Sequence, residues 1–367
     1  MANNVATTTD NDFTREKCLW LFYNLCCTVH QKVADFVAPG RYNKTNFAYC
    51  PSLITILAGG TGSVKLARGL ARLEKKKEGI NVIANVGDNI WLYGLYVCPD
   101  IDTLVYGLAG LLDEERGWGV KGDTFSFLGQ MKRAGVDAWF GLGDRDLATH
   151  VLRTEMIKSR KKSLTQVTAY FAEKFGAGAA KVLPATDSEV ETMITTDAGE
   201  MHLQEFWVKN AGSPEVHSVR YRGIGKARAT RQALAAIEDA DRIIIAPGNP
   251  VSSIGPTLAL KDIRAALAKR RADVVAVSPI IGNAAVSGPA VKYMRAVGVQ
   301  SSAAGVAEFY KDVAGSMVID SRDREVASNM IRRLGMDVHE TNITMQGRQD
   351  EVRLGRYLLL LLQRKSH

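Results

Sequence analysis

The sequence predicts an α/β protein: a doubly wound, mainly parallel sheet interrupted by a helical and small antiparallel insertion. Three observations carry this. Residues 52–58, Ser-Leu-Ile-Thr-Ile-Leu-Ala, form a short β-branched run without alternation, the mark of a strand buried on both faces. A glycine turn and an amphipathic stretch at 63–77 follow, and a second apolar run at 80–84 completes a βαβ unit. The same strand chemistry returns at 242–246, 274–277 and 316–320, with helical stretches between.

In chain order, residues 1–50 read as an N-terminal extension, partly helical or disordered. Its apolar run at 18–28 is too short to span a bilayer, follows Asp10, Asp12 and Glu16, and lacks a small-residue cleavage site. A docking helix is the expectation there. Residues 51–367 then form one α/β domain, with the insertion at about 100–222. Helical patterns cover 101–115, 123–134, 146–158 and 163–175. From 189 to 222 polar and apolar residues alternate, as in Met201-His202-Leu203-Gln204-Glu205-Phe206-Trp207-Val208, which predicts antiparallel strands. A strand–helix pair from Val338 to Leu362 closes the chain.

Composition narrows the function. The 367 residues are 46% hydrophobic and 23% charged, with a formal net charge of +8. That charge suits phosphate-rich ligands. Its clusters, such as Lys75-Lys76-Lys77 and Lys269-Arg270-Arg271, sit at expected helix ends, where they offset the helix dipole, so nucleic-acid binding is not expected. Cys18, Cys26, Cys27, Cys50 and Cys98 are odd in number and include no C-x-x-C pair. A reduced, cytoplasmic protein without a disulfide or zinc framework is expected. No segment reads as a membrane span.

The chemistry-bearing residues fall where strands end. Gly59-Gly60-Thr61-Gly62-Ser63-Val64-Lys65 follows the first strand and opens a helix, whose free N–H groups and positive dipole end favour phosphate. It matches neither the Walker pattern nor the dinucleotide fingerprint, since Lys65 stands where a third glycine belongs. Lys65 adds a charge for a phosphate or is simply solvated. Asn85 and Asp88, after the second strand, are placed for a sugar hydroxyl, a second substrate or a hydrated cation, although both are common turn formers. Asp100 and Asp102 open a helix; capping accounts for one carboxylate, while two beside a phosphate turn would bind Mg²⁺ or accept a proton.

In Gly141-Leu142-Gly143-Asp144-Arg145-Asp146, Arg145 either clamps an oxyanion or braces the loop, and His150 follows one turn later. Two Gly/Pro/Ser/Asn loops, at 246–256 with Asn249, Pro250 and Ser253 and at 278–289 with Gly282 and Asn283, form a second phosphate- or base-binding rim. No hydrolase elbow or kinase signature appears.

Taken together, Gly59-Gly60-Thr61-Gly62, Pro99-Asp100-Ile101-Asp102-Thr103, Leu142-Gly143-Asp144-Arg145-Asp146 with Ala148-Thr149-His150, Asn249-Pro250 with Ser253-Ile254-Gly255, and Ser278-Pro279-Ile280-Ile281-Gly282 resemble the 2-phospho-L-lactate transferase family. The resemblance covers about residues 52–320. It implies a Rossmann-like fold, usually dimeric, and a Mg²⁺-dependent transfer. The hydroxyl of an 8-hydroxy-5-deazaflavin alcohol attacks the phosphorus of a guanosine diphosphate-linked three-carbon acid, and GMP leaves.

Carried over, Asp102 corresponds to a deazaflavin-contacting aspartate, and Asp144, Arg145 and His150 join it in the acceptor site. The glycine turn with Lys65, and the Asn249 and Gly282 loops with Pro250, Ser253 and Asn283, would hold the donor. Asp88 and Asp102 are the expected catalytic and metal-binding pair. Two positions depart from the family: Gly141 replaces a basic residue usual in archaeal members, and Asp88-Asn89 stands where many carry two acids. The rival is a non-enzymatic nucleotide-sugar-binding regulator of related fold; the Leu142–Asp146 and Ser278–Gly282 segments favour the transferase.

Overall fold

A computed structural model describes residues 53–73, 79–178, 180–282, 284–286 and 288–364. The expected docking helix, the Lys75–Lys77 cluster and Asn283 lie outside them. Five of the apolar runs form parallel strands: β1 (Ile54–Ala58), β2 (Ile80–Ala84), β9 (Arg242–Ile245), β10 (Val274–Val277) and β13 (Ser316–Asp320). Every residue of β1, β2, β10 and β13 is buried, because helices cover both faces. With β5 (Ala180–Pro184) and β14 (Asp337–Thr341) they make a seven-stranded parallel sheet in the order β14-β13-β10-β9-β1-β2-β5. The chain winds outward from β1 in one direction and returns to continue from β9 in the other. This is the doubly wound plan, and its switch point lies between β1 and β9.

β5 is a core strand that falls within the span read as insertion. Its exposed Lys181 and its Pro184 fit the edge it occupies and mask it in the sequence. A hairpin, β3 (Ile90–Leu92) and β4 (Leu95–Val97), was also not expected. Its turn places both Tyr93 (φ 52°) and Gly94 (φ 78°) in the left-handed region, as a type I′ turn requires, without the usual asparagine.

The helices are α1 (Gly60–Leu73), α2 (Pro99–Ala109), α3 (Ser126–Arg133), α4 (Asp144–Lys158), α5 (Leu164–Phe175) and, later, α6 (Arg231–Glu238) to the final α12 (Arg348–Arg364). α1 starts three residues before the periodicity indicates. α2 stops early because Leu112 bridges Val120 and the chain turns back. The antiparallel sheet expected at 189–222 is present as β6 (Glu191–Thr196), β7 (Gly199–His202) and β8 (Ser218–Arg222). The alternation through Val208 does not extend β7, however: Glu205–Lys209 is a π-helical turn. That turn carries Trp207 and Val208 to the cleft described below. Among the described residues no helix is long and apolar enough to cross a membrane.

Candidate active site

Two contiguous lobes open above the carboxyl ends of β1, β2 and β9. The wider, about 490 Å³, is lined by Gly60, Thr61, Gly62 and Lys65 of α1, by the Pro247–Asn249 loop after β9, and by Ser253, Ser278 and Tyr293. The narrower, about 240 Å³, is lined by the first turns of α2, by Asp146 and His150 of α4, and by Trp118, Phe140, Trp207 and Val208. Gly60, Thr61, Asp88, Asp100, Trp118, Gln204 and Trp207 belong to both lobes and mark where they meet.

The wide lobe is shaped by close backbone approach. A Cβ on Gly62 would lie 2.3 Å from the Pro247 carbonyl oxygen, so only glycine lets the first turn of α1 sit against the β9 loop. Asp100 braces this turn: its Oδ1 accepts from the Gly60 N–H at 2.8 Å. Asn249 Oδ1 accepts from the Val251 and Ser252 N–H groups at 3.0 and 3.2 Å, capping the Pro250–Ile254 turn. These bonds fix the loops around the N-terminus of α1, whose first turn beyond Gly60 faces the lobe through Thr61 and Gly62, a site suited to phosphate oxygens.

At the junction two carboxylates share one amide. Asn85 Nδ2 donates to Asp88 Oδ1 at 3.1 Å and to Asp100 Oδ2 at 2.9 Å. Burial pushes the Asp88 carboxyl well above the usual carboxylate range, and the Asp100 charge pushes it further. Burial also raises Asp100, against its hydrogen bonds from Asn85 and Gly60. Among the described residues neither forms an ion pair with Lys or Arg. Two buried acids with no cation are the donor set a divalent ion satisfies.

A second acidic group lies deeper in the narrow lobe. Ligand atoms of Asp102, Asp146 and His150 lie within 4.8 Å of one another. Arg153 already fills the place of a cation here. It is 1% exposed, and its guanidinium spans both Asp102 oxygens, with Nη1 3.0 Å from Oδ2 and Nη2 bonded to Oδ1. The same Nη1 donates to His150 Nδ1 at 3.2 Å. Since guanidinium only donates, Nδ1 is the acceptor in this contact, and Nε2 lies 3.3 Å from Asp146 Oδ1. Burial opposes charge on Asp146, but His150 and the Tyr106 hydroxyl, 2.9 Å away, hold its carboxyl below the usual range.

The expected site residues thus divide. Gly60, Thr61, Gly62, Lys65, Asn249, Ser253, Asp88, Asp102 and His150 line the cleft. Gly59 and Pro250 support it from behind: the Gly59 carbonyl accepts from Ser63 Oγ, and Pro250 opens the Asn249-capped turn. Lys65 Nζ donates to the Met345 carbonyl at 3.0 Å, which fixes its ammonium at the rim. Asp144, Arg145 and Gly282 are not among the lining residues. Asp144 accepts from Thr124 Oγ1 and from the Ser126 and Phe127 N–H groups, tying the start of α3. Arg145 points to the Lys121 carbonyl, and the Gly282 N–H donates to Asp323. Asp88 thus shares the Asn85 amide with Asp100, and Asp102 pairs with Arg153.

Sequence reasoning missed Arg153, Trp118, Trp207 and Tyr293. Gly141 explains one of its own departures: a Cβ there would meet the Trp118 ring at 2.5 Å, so its absence makes room for the indole in the narrow lobe.

The family model for 2-phospho-L-lactate transferase CofD matches residues 54–349. The 2-phospho-L-lactate transferase of Methanosarcina mazei is 42% identical over 73% of this chain and 87% of its own length. That of Methanocaldococcus jannaschii is 42% identical over 84% and 97%. The phosphoenolpyruvate transferase of Kitasatospora aureofaciens is 39% identical over 86% and 99%. A solved member of the UPF0052 family from Bacillus halodurans shares the fold, with a TM-score of 0.57 and 15% identity, covering 85% of this chain and all of that one. The chain is therefore a transferase belonging to the 2-phospho-L-lactate transferase CofD family.

Proposed function

We propose that this enzyme moves a phosphate-linked three-carbon acid from a guanosine diphosphate donor to the terminal hydroxyl of a deazaflavin alcohol, releasing GMP. The observation that carries the reading is the meeting of two unlike lobes at one acidic junction. The wide lobe offers N–H donors and a helix N-terminus, as a diphosphate requires. The narrow lobe is walled by Trp118, Phe140, Trp207 and Val208, which suits a flat aromatic ring. Only at the junction can an acceptor hydroxyl meet a donor phosphorus.

Phosphoryl transfer asks mainly for positioning and charge stabilisation. The N–H groups of Thr61 and Gly62 hold the diphosphate in the turn that Asp100 braces through the Gly60 N–H. Asp88 and Asp100 fit a Mg²⁺ ion, which when bound offsets charge that develops on the transferred group. Asp102 is locked in one orientation by Arg153, yet each oxygen keeps a lone pair with which to align the attacking hydroxyl. The indoles of Trp118 and Trp207 cover the acceptor ring and exclude water. A homodimer working in the cytoplasm completes the proposal, following the family pattern.

The test is to incubate the protein with deazaflavin alcohol, Mg²⁺ and each donor in turn, carrying 2-phospholactate, phosphoenolpyruvate or 3-phosphoglycerate, and to weigh the products. A coupled product with equimolar GMP is expected from at least one donor. No product from any of the three refutes the assignment.

A further inference from the structure

Arg116 lies on the turn that follows α2, and it lines the wide lobe. The turn is locked. The Gly117 N–H donates to the Asp113 carbonyl at 2.9 Å, the Asp113 N–H donates to the Gly119 carbonyl at 3.1 Å, and Leu112 bridges Val120 behind them. It sits against the opening of α1, since a Cβ on Gly117 would lie 3.3 Å from Thr61 Cγ2. Trp118, next but one to Arg116, belongs to both lobes, so the turn stands where they meet.

The guanidinium is held on one edge and open on the other. Asp113 Oδ2 accepts from Nε at 3.0 Å and from Nη2 at 2.8 Å, and Nη2 also reaches the Val120 carbonyl at 3.3 Å. Its Cζ lies 5.2 Å from the centre of the Trp118 ring and 5.0 Å from that of Phe125, and both rings attract the cation. Nη1 has no partner among the described residues, and the side chain is 28% exposed, so a ligand can reach these two donors. A fork already oriented by its own protein loses little freedom on binding an oxyanion. The wide lobe has two cationic side chains among the described residues, and Lys65 is tied to the Met345 carbonyl at the rim. Thr61 and Gly62 serve the diphosphate, which leaves the carboxylate of the donor's acid for Arg116.

We infer that Arg116 is a specificity-determining residue whose Nη1 donates to the carboxylate of the transferred three-carbon acid. This rests on the proposed function, since it names a residue for the donor of that reaction. It differs in kind from the helix N-terminus: backbone N–H groups grip any diphosphate, whereas a side-chain fork at the junction distinguishes what is attached to it.

The experiment compares Arg116→Gln with wild type. Each protein is melted, assayed with the donor that wild type accepts, and titrated calorimetrically without acceptor against three ligands: that donor, GDP, and GDP ethylated on its terminal phosphate, which lacks the carboxylate. The ion pair with Asp113 is partly exposed, so the variant should melt within about 2 °C of wild type. Donor affinity should fall and donor KM should rise about tenfold, as expected for loss of a hydrogen bond to a charged oxygen. Affinity for GDP and for its ethyl ester should stay within twofold, with the acceptor KM unchanged. An equal loss for all three ligands places Arg116 on the diphosphate and overturns the assignment to the carboxylate. Unchanged donor binding and KM beside an active wild type overturn this inference alone. A wild type inactive with every donor overturns the proposed function and this inference with it.

Discussion

Replacing Asp102 with Asn tests the central charge arrangement of the narrow lobe. The side chains of Asp102 and Arg153 are 8% and 1% exposed, so the pair is nearly free of solvent screening. Asn keeps the shape and one acceptor but leaves the guanidinium without a countercharge. Removing one partner of a buried ion pair typically costs about 3–5 kcal/mol, most of it the price of the stranded charge. At about 2 °C per kcal/mol for a large domain, the melting temperature should fall by roughly 6–10 °C. The double variant Asp102→Asn/Arg153→Met strands no charge and should recover more than half of that loss, the remainder reflecting the acceptors on His150 and Tyr96 that lose their donor. Turnover should drop at least tenfold in both, about 1.4 kcal/mol of transition-state stabilisation, because neither aligns the acceptor hydroxyl. Circular-dichroism melts and steady-state kinetics supply the readings. An Asn variant that melts within about 2 °C of wild type would refute the buried pair, and one with near-normal turnover would remove Asp102 from the reaction.

Three further outcomes follow from the geometry. Gly62→Ala, whose Cβ meets the Pro247 carbonyl, should force α1 away from the β9 loop and raise the donor KM about tenfold (about 1.4 kcal/mol) with the acceptor KM unchanged; initial-rate kinetics with each substrate varied decide it. Gly141→Ala should push the Trp118 ring out of the narrow lobe and weaken acceptor binding severalfold, read by indole fluorescence and acceptor titration. Asp88→Asn concerns pH: Asp88 is raised in the folded protein above its unfolded value of about 4, so the cation-free native state holds extra protons and loses stability as pH climbs from there through the raised value. The melting temperature of the Asn variant relative to wild type should therefore increase with pH in chelator, and added Mg²⁺ should stabilise wild type only. A pH-independent difference would count against the raised carboxyl.

The parallel strands were legible because Ile54–Ala58, Ile80–Ala84 and Val274–Val277 are apolar on both faces. The glycine turn and the Asn249 loop were legible because strand ends carry ligands in such sheets. Arg153 was not, and the reason is physical. On α4 it is buried while its neighbours Val151 and Leu152 are 47% and 46% exposed, the reverse of what periodicity assigns. Only the position of Asp102, across the cleft and 51 residues earlier, makes a buried arginine favourable. That inverted polarity is the one signal the sequence held. Trp207 escaped notice for a related reason: a π-helical turn ends the alternation that β7 begins. Asp144 and Arg145, by contrast, look like a binding motif in sequence and serve as a loop brace, because their partners at Asp123, Thr124 and Ser126 come from another segment.

Asp100 joins three parts of the chain: the N–H of Gly60 on one oxygen, the Asn85 amide on the other, and its own backbone in the opening turn of α2. The conformation of the glycine turn is therefore settled during folding and does not await a ligand. Donor capture on this side resembles docking into a finished mould, so little ordering entropy is charged against affinity. The same tether sets the glycine turn and the opening turn of α2, half a helical turn before Asp102, on one shared brace.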